Sequence, residues 1–597
     1  MQLTATDWII IALYFALNLG IGFYYMRRAS GNVGEFFLSG RNVSWWLAGT
    51  SMVATTFGAD TPLVVTGLVY SSGIQGNWLW WSFALSGMLT VFFFAPLWRR
   101  AHVLTDMEFA EIRYAGKSSA FLRGFRALYL ALPVNTIIMG WVNLAMAKIL
   151  ALTLGFSKLE AVFVCLTVTL VYSSISGLWA VLWTDMVQFV LKMSMVILLA
   201  YFAVRGVGGM DALMQKVQSA DTARGTHTLA FFPHPGEAFF LSFLVLLSLN
   251  WWATWYPGAE PGGGGYIAQR IFSAKNEKHS LGATLWFNIA HYALRPWPWI
   301  LTALVALVLL PAAADKEGAY IQVMIRFLPP SLRGLMLAGF AAAYMSTIGT
   351  HLNLGASYLV NDVYRRFLVG NKSDRHYVNA SRVATLFCAV LSGGATYYMD
   401  SISAAWKFLI AIGAGAGLVF ILRWFWWRIN AWSEISAMIA AGTISLTLQS
   451  RAGMFAVRAL HTMDPQLKLA PLNTDDPHAF AWLMLLTTGL TTLVWMTVTL
   501  MTAPEPEAKL QSFYNLVRPP AFGWQRFAPA SAIAEHTLRW NSLHWILGSA
   551  MIYCTLFGIG NLLFSRVADG LLLLVISAVC LALLFRSLNR QNWSMFR

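Results

Sequence analysis

Runs of about 20 apolar residues, separated by short polar stretches, recur along the whole chain. A run of that length is what an α-helix needs to cross the hydrocarbon core of a bilayer. The pattern predicts about 15 membrane-spanning helices. Their approximate boundaries are 7–26, 44–70, 77–98, 124–153, 159–175, 178–204, 238–256, 281–310, 332–362, 379–399, 403–424, 431–450, 480–502, 541–564 and 568–586.

The composition supports the same architecture. Of 597 residues, 58% are hydrophobic and only 11% are charged, and the mean hydropathy is +0.59. These values exclude a soluble globular domain and predict an all-α polytopic membrane protein. No hydrophilic segment is long enough for a separate signalling or enzymatic domain. The largest, 503–540, is Pro-rich and basic, and we expect it to lie along the inner membrane surface.

The net charge of +15 is distributed between alternate loops and does not indicate nucleic-acid binding. The loops after the odd-numbered spans, with the C-terminal tail, hold the basic clusters: Arg27, Arg28, Arg41, Arg99, Arg100, Arg113, Lys117, Arg123, Arg270, Lys275, Lys278, Arg365, Arg366, Lys372, Arg375, Arg586, Arg590 and Arg597. The opposite loops are poorer in basic residues and carry acids, such as Asp211 and Asp315. The positive-inside rule therefore predicts an outer N-terminus and an inner C-terminus.

The remaining chemistry-bearing residues do not indicate an enzyme. The four cysteines lie in apolar segments and form no metal motif with histidine. The basic loops contain no nucleophile–base constellation and no phosphate-binding loop. We expect no cofactor. The first apolar run, 8–26, lacks a basic leader and a cleavage site, so it is interpreted as a retained helix.

Two of the predicted spans are interrupted. The second contains Gly58, Asp60 and Pro62 near its middle, and the seventh ends in the Gly- and Pro-rich stretch 250–266. Broken helices at matching positions of two halves indicate a transporter with inverted five-helix repeats and a site near the bilayer midplane. The alternative is a proline kink without function.

The span 332–362 carries small residues and hydroxyls on one helix face. Ala343, Ser346, Thr347 and Thr350 follow the i, i+3, i+4, i+7 spacing. In a place without water such a stripe offers hard oxygen ligands to a dehydrated Na⁺. It could equally serve close helix packing, with the hydroxyls bonded back to the preceding turn.

Four stretches together resemble the sodium:solute symporter family. They are GTSMVATTFGADT (49–61), SGLWAVLWTDMVQ (176–188), GYIAQRIFSAKNEKHSL (265–281) and RGLMLAGFAAAYMSTIGTHLN (333–353). The motifs stand in family order and at family spacing, and the resemblance covers roughly residues 1–430. About 15 spans exceed the number usual in that family.

The resemblance implies a leucine-transporter-like fold of two inverted five-helix repeats. A preceding helix and inner loop would occupy 1–43, and the repeats 44–204 and 238–424. Accessory helices would follow in 431–597.

The resemblance also implies a sodium site. Its ligands would be the backbone carbonyls of Ala54, Phe57 and Ala343 and the hydroxyls of Ser346 and Thr347. A helix break frees carbonyls, so the physics of the sequence agrees with such a set of neutral oxygens.

Two further residues bear on the ion. Asp185 matches a family acid near the sodium route, although it could also be a satisfied structural carboxylate. Thr350 is a candidate for a second cation site, but its neighbour is Gly349, which offers no side-chain oxygen. We therefore expect one sodium per cycle.

The solute should bind between the two broken helices. Candidate residues there are polar or aromatic: Asp60, Thr61, Trp81, Ser82, Asn143, Asn250, Trp251 and Trp255. Each Trp could instead anchor at an interface or pack in the core. Arg295 would pair with a carboxylate such as Asp60, face an anionic solute or snorkel to an interface.

The sequence thus predicts sodium-coupled secondary active symport of a small polar organic solute, of the sugar, amino acid or carboxylate class. Proton coupling on the same fold and a transporter-like sensor remain alternatives. The expected partners are the solute, sodium and the lipid bilayer. We expect a monomer in the plasma membrane, which in a bacterium is the inner membrane.

Overall fold

The computed structural model describes residues 3–29, 39–103, 105–173, 178–254, 262–529 and 537–593. Within these ranges the chain is helical and forms no β-strand. Two isolated bridges join Val43 to Ala274 and Thr254 to Ala414. The secondary structure therefore agrees with the predicted all-α class.

The first fourteen α-helices of the described chain lie between residues 5 and 253. In order they are α1 (Ala5–Ala29), α2 (Trp45–Thr56), α3 (Thr61–Ser72), α4 (Trp78–Trp81), α5 (Phe83–Leu89), α6 (Ala95–Ala101), α7 (Phe109–Arg113), α8 (Gly116–Tyr129), α9 (Asn135–Leu154), α10 (Lys158–Ser173), α11 (Leu178–Gly206), α12 (Met210–Arg224), α13 (Phe240–Val245) and α14 (Trp251–Ala253).

The second half continues in the same manner. Its helices are α15 (Gly265–Ser273), α16 (Glu277–Asn288), α17 (Pro296–Leu309), α18 (Ala319–Phe327), α19 (Leu332–Ser357), α20 (Asp374–Tyr397), α21 (Ile402–Ile412), α22 (Gly417–Phe425), α23 (Ala431–Leu448), α24 (Met454–Met463), α25 (Pro477–Met501), α26 (Glu507–Val517), α27 (Thr537–Leu563) and α28 (Val567–Arg590). Wide π-type turns occur within or beside several of these helices, at Thr90–Phe94, Leu130–Val134, Leu246–Asn250, Ile289–Leu294 and Tyr358–Leu368.

The described part of the structure has fewer helices that are long and apolar enough to cross a membrane than the sequence predicts. Among the described residues, 11 helices are long and apolar enough to cross a membrane, or up to 12 when α2 and α3 count as one bent span. The shorter apolar helices Phe240–Ala253 and Ile402–Ile412 coincide with two other predicted spans. A total of about 15 crossings is therefore not confirmed.

The first predicted break is present between α2 and α3. The two helices form a pair bent by 57°, with residues 57–60 between them. The amide of Phe57 closes α2 by donating to the carbonyls of Val53 and Ala54 at 3.0 and 3.2 Å. Pro62, in the first turn of α3, has no amide hydrogen to extend the ladder across the break. Local sequence therefore ends one helix and starts the next.

The second predicted break lies partly outside the described residues. Helix α14 ends at Ala253 and α15 begins at Gly265. Residues 255–261, which contain both prolines and one of the five glycines of this stretch, are not among the described residues. The carbonyl of Ala253 accepts a hydrogen bond from the amide of Gly415 at 2.8 Å, so the end of α14 is held by the segment before α22.

The broken helix occupies the middle of the bundle. Helix α2 packs against α11, α15, α16 and α19, while α3 packs against α17. Helix α1 packs on α11 and α19 from outside. In contrast, α10, α20 and α28 expose large apolar side chains, as Phe163, Val383 and Leu572 illustrate at 71%, 69% and 61% exposure. Such faces are typical of helices that contact lipid.

The segment 503–540 is better packed than a surface linker. It contains α26, whose Phe513 stacks on Trp524 with ring centroids 5.4 Å apart. The Trp524 indole donates to the carbonyl of Trp424 at 2.7 Å. This aromatic contact fixes the described part of the segment on the end of α22, because a fully buried Trp contributes both apolar area and a satisfied N–H.

Candidate functional site

The break in the first bent helix is surrounded by groups from three other helices. The α19 stripe faces it: the hydroxyl of Thr347 donates at 3.0 Å to the carbonyl of Thr55 and at 3.0 Å to that of Ala343. Ser346, one residue earlier, donates at 2.7 Å to the Asp185 carboxylate. Both hydroxyls therefore have local partners in this arrangement, and both stand at the α2–α19 contact.

Asp185 connects α11 to both of these helices. Its carboxylate accepts hydrogen bonds from Ser346 of α19 and, at 2.6 Å, from Ser51 of α2. It is 1% exposed. Hydrogen bonds to an ionised group in such a place are worth about 1.5–3 kcal/mol each, so the carboxylate holds the three helices together.

Arg270 belongs to the same network and corrects an expectation from the sequence. The sequence predicts that it is a basic residue of an inner loop, but it lies in α15 and is 1% exposed. Its Nη2 lies 3.9 Å from an Asp185 oxygen, and its Nε donates to Ser51 at 3.3 Å. The charge on Arg270 is thus neutralised inside the bundle and says nothing about membrane orientation.

Lys192 is the functional candidate that the sequence analysis missed. It lies on α11 and is 2% exposed. Its Nζ donates to the carbonyls of Ala54 at 2.9 Å and Phe57 at 3.2 Å. A signal was available, because an ionisable residue in the middle of an apolar span is a functional hypothesis by default. Lys192 also follows Asp185 by seven residues, which places both on one helix face.

The predicted sodium ligands are therefore close to one another, but each of their oxygens already has a hydrogen-bond partner in the protein. The carbonyl of Ala343 and the hydroxyls of Ser346 and Thr347 engage in bonds within the protein. The carbonyls of Ala54 and Phe57 accept from the Lys192 ammonium. The donor set has the neutral oxygens that a monovalent cation takes, and a protein cation is bound to two of them. The candidate for a second site, Thr350, lies one turn beyond Thr347 on α19 and is half-buried.

Arg295 contacts the broken helix from the α17 side. It is fully buried, which excludes snorkelling to an interface. Its Nη1 donates to the carbonyl of Val53 at 3.2 Å and to the Thr56 hydroxyl at 3.4 Å, and its Nη2 contacts His291. The guanidinium also lies over the rings of Trp299 and Phe57, at 4.9 and 5.3 Å from their centroids.

Asp60 does not form a direct ion pair with Arg295. No salt bridge within 4.0 Å joins them in the described part of the chain, although their charges influence each other at longer range. Asp60 is 5% exposed at the start of α3. Its Oδ1 folds back over Gly58 so closely that a Cβ there would lie 2.1 Å away. Glycine at this position is what lets the carboxylate adopt this arrangement.

The other predicted solute residues fall into separate groups. Ser82 accepts a hydrogen bond from Asn250 at 3.0 Å, so these two lie together beside Trp81, which is fully buried. Asn143 is elsewhere: it accepts from the Tyr344 hydroxyl at 2.7 Å and donates to Ser392 at 3.3 Å.

Two tryptophans and one threonine complete that set. Trp251 packs against Trp545 of α27 with ring centroids 5.5 Å apart, and its indole donates to a carbonyl of its own helix. Its contacts are those of helix packing. Thr61 is buried at the start of α3, next to Asp60. Trp255 lies outside the described residues.

Comparisons with known proteins agree on the relationship. A model of the sodium:solute symporter family matches residues 36–441. A sodium/glucose cotransporter of Vibrio parahaemolyticus is 26% identical over 481 residues, which cover 75% of this chain and 86% of the relative. Sodium/glucose cotransporter 1 of Oryctolagus cuniculus is 26% identical over 484 residues, covering 71% and 69%.

A solved structure gives the fold. The substrate-bound outward-open state of a Na⁺-coupled sialic acid symporter superposes with a TM-score of 0.63 at 18% identity, covering 84% of this chain and 99% of that one. This likeness confirms the predicted leucine-transporter-like, all-helical fold. Because the family model spans well over half of the residues, and because that family consists of transporters, the sequence resemblance is confirmed: the chain belongs to the sodium:solute symporter family.

Proposed function

We propose that the protein is a sodium-coupled symporter that carries a small polar organic solute across a membrane by alternating access. Family membership supports transport as the activity, and several relatives are by name sodium/glucose cotransporters. The observation that carries the proposal is the meeting of the broken helix with the α19 hydroxyls. A break supplies backbone carbonyls, and Ser346 and Thr347 supply hydroxyl oxygens at the same place.

The sodium ligands in this proposal are Ala54, Phe57, Ala343, Ser346 and Thr347. Asp185 would act beside the ion without touching it, by holding Ser346 in place and by attracting a cation to the region. The oxygen set supports a hard monovalent cation, because all five ligands are neutral and the neighbouring carboxylate supplies the countercharge. The proposal has one sodium per cycle, because Thr350 beside Gly349 offers too few oxygens for a second site.

The solute region in this proposal lies on the other side of the break, between α3, α4 and the end of α14. Asp60 and Thr61 at the start of α3, and the group formed by Trp81, Ser82 and Asn250, would offer carboxylate, hydroxyl, amide and aromatic surfaces to the solute. Such groups fit a sugar, an amino acid or a carboxylate, since each of these presents several hydrogen-bonding atoms. Arg295 would favour a solute that carries a negative charge.

The conformational cycle in this proposal moves two repeats, 44–204 and 238–424, against each other around the site. The protein would work as a monomer in the plasma membrane with its N-terminus outside and its C-terminus inside. The basic residues of the loops after the odd-numbered spans, without the buried Arg113 and Arg270, support that orientation. We propose no cofactor besides the coupling ion.

Coupling to protons is a second candidate, and one observation favours it. The ammonium of Lys192 already supplies a positive charge at Ala54 and Phe57, where the coupling sodium is proposed. The two candidates differ in the gradient that drives accumulation, so they can be separated by experiment.

The test begins with a thermal-stability screen of the purified protein against sugars, amino acids and carboxylates, with and without sodium. A ligand that binds the folded state raises its melting temperature by mass action. The ligand found is then used in uptake by proteoliposomes under an inward sodium gradient, under a choline control and under a proton gradient without sodium. Accumulation with the sodium gradient alone supports the proposal. Accumulation only with the proton gradient replaces it by the second candidate.

A further inference from the structure

The ammonium of Lys192 stands at two of the proposed sodium ligands. It donates to the carbonyl of Ala54 at 2.9 Å and to that of Phe57 at 3.2 Å. A sodium ion and an ammonium are bound by the same carbonyl lone pairs. In this structure the two oxygens therefore bind a cation that is part of the protein itself.

The position of Lys192 is fixed by several contacts. The side chain is 2% exposed, and Nζ lies 5.4 Å from the centroid of the Phe57 ring. Asp185, two turns earlier on α11, supplies the facing negative charge. A lysine near the end of a membrane helix would extend to the interface, whereas this one is directed into the break. Because a buried charge is stable only with partners, the two carbonyls and Asp185 account for its location.

The surrounding charges make a second cation at this place unfavourable. Arg295 binds the carbonyl of Val53 in the same broken helix, and Arg270 faces Asp185. Helix α19 contributes neutral groups at the contact, among them the hydroxyls of Ser346 and Thr347. A sodium ion beside the ammonium would meet like charge in a region of low dielectric, where the repulsion is large.

We propose that the Lys192 ammonium and a sodium ion are mutually exclusive occupants of this site, so that Lys192 is an internal competitor that sets the sodium affinity of the carrier. The inference rests on the proposed function, since it concerns the same ion site. Sodium binds only in a conformation in which the Lys192 side chain has left Ala54 and Phe57. When sodium leaves, the ammonium returns to the carbonyls of Ala54 and Phe57.

The test compares sodium binding by the full-length protein with and without the competing charge. Lys192→Met removes the ammonium and keeps an unbranched side chain of similar length, while Lys192→Arg keeps the charge. Lys216→Met is the matched control, because Lys216 also donates to a backbone carbonyl, that of Val207, but lies exposed on α12. Sodium replaces choline at constant ionic strength, and both the melting temperature and the binding of radioactive sodium are recorded.

We expect the half-saturating sodium concentration of Lys192→Met to be at least about tenfold lower than that of the wild type, because a like charge at contact distance is removed. Lys192→Arg keeps the competing charge and should show no such gain in sodium affinity, and the Lys216 control should match the wild type. Lys192→Leu, measured in the same way, replaces the Met variant if that protein does not fold. A folded neutral variant whose sodium affinity equals the wild type's or falls below it overturns the proposal.

The test of Lys192 and the test of sodium coupling can fail independently of each other. Sodium-independent uptake by the wild type would remove sodium coupling, yet the appearance of sodium binding in the neutral variant would still support the role of Lys192. Sodium-driven uptake by the wild type, together with unchanged binding in Lys192→Met, would keep the function and remove the competitor.

Discussion

The hydroxyl of Ser346 on α19 donates a hydrogen bond of 2.7 Å to the carboxylate of Asp185 on α11. The two residues are 161 positions apart in the chain and both are buried. One contact thus joins a proposed ion ligand to the acid on the proposed ion route. The first two predictions follow from it.

Ser346→Ala and Thr347→Ala should each weaken sodium dependence. Each change removes an oxygen from a place without water to replace it, and Ser346→Ala also deprives Asp185 of a donor. A lost hydrogen bond to a charged group is worth about 1.5–3 kcal/mol, so the half-saturating sodium concentration should rise about tenfold or more. Uptake against sodium concentration in proteoliposomes measures it.

The double variant should nearly abolish coupled uptake while the protein still inserts. Thr350→Ala, on the same helix one turn away, is the control and should leave the sodium half-saturation unchanged. An unchanged value in the double variant would remove these hydroxyls from the ion site.

Asp185→Asn should slow transport more than it weakens equilibrium binding of the solute. The change leaves Ser51 and Ser346 with a neutral partner and Arg270 without its countercharge, at the contact of the helices that must move. Solute binding by melting shift is compared with the turnover of uptake. Equal losses in the two measurements would mean that Asp185 only stabilises the fold.

Gly58→Ala should impair both stability and uptake. The new Cβ would lie 2.1 Å from Oδ1 of Asp60, so the carboxylate has to move within a packed site. Overpacking of this kind costs about 1–3 kcal/mol. Gly339→Ala is the matched control, because a Cβ at that position on α19 meets nothing within 4 Å. Similar melting temperatures and uptake for the two variants would contradict the prediction.

Asp60→Asn and Arg295→Gln should have nearly additive effects on stability. The guanidinium contacts Val53, Thr56 and His291 and does not pair directly with Asp60. A double-mutant cycle in detergent melting should therefore give an interaction energy below about 1 kcal/mol, whereas breaking a direct buried pair costs about 3–5 kcal/mol. A larger interaction energy would indicate that the two residues pair in solution.

The local features of the fold could be predicted from the sequence because their causes are local. Apolar runs of sufficient length specify the helices, and Gly58 with Pro62 places a break inside one of them. The spacing of Ser346 and Thr347 places both hydroxyls on the α19 face that meets the broken helix. The resemblance to the family then indicated that α19 and the broken helix pack together.

The partners of the buried polar groups were decided only by the tertiary structure. Asn143 pairs with Tyr344 and not with the residues around Trp81, and Arg270 is directed into the bundle from a stretch that resembled a basic loop. Local sequence cannot distinguish such a buried cation from an exposed one, since its countercharge lies on another helix.

The contrast between what the sequence determines and what the tertiary structure decides is clearest for Lys192. Its position in an apolar span, seven residues after Asp185, could be read from the sequence. Its partners could not, because Ala54 and Phe57 precede it by 138 and 135 residues and offer only backbone oxygens. The sequence determined that the helical hydrogen-bond ladder is interrupted between α2 and α3. Only the packing of α11 against that break decided that a protein ammonium binds these backbone oxygens, because a buried charge takes the partners that the fold brings within reach.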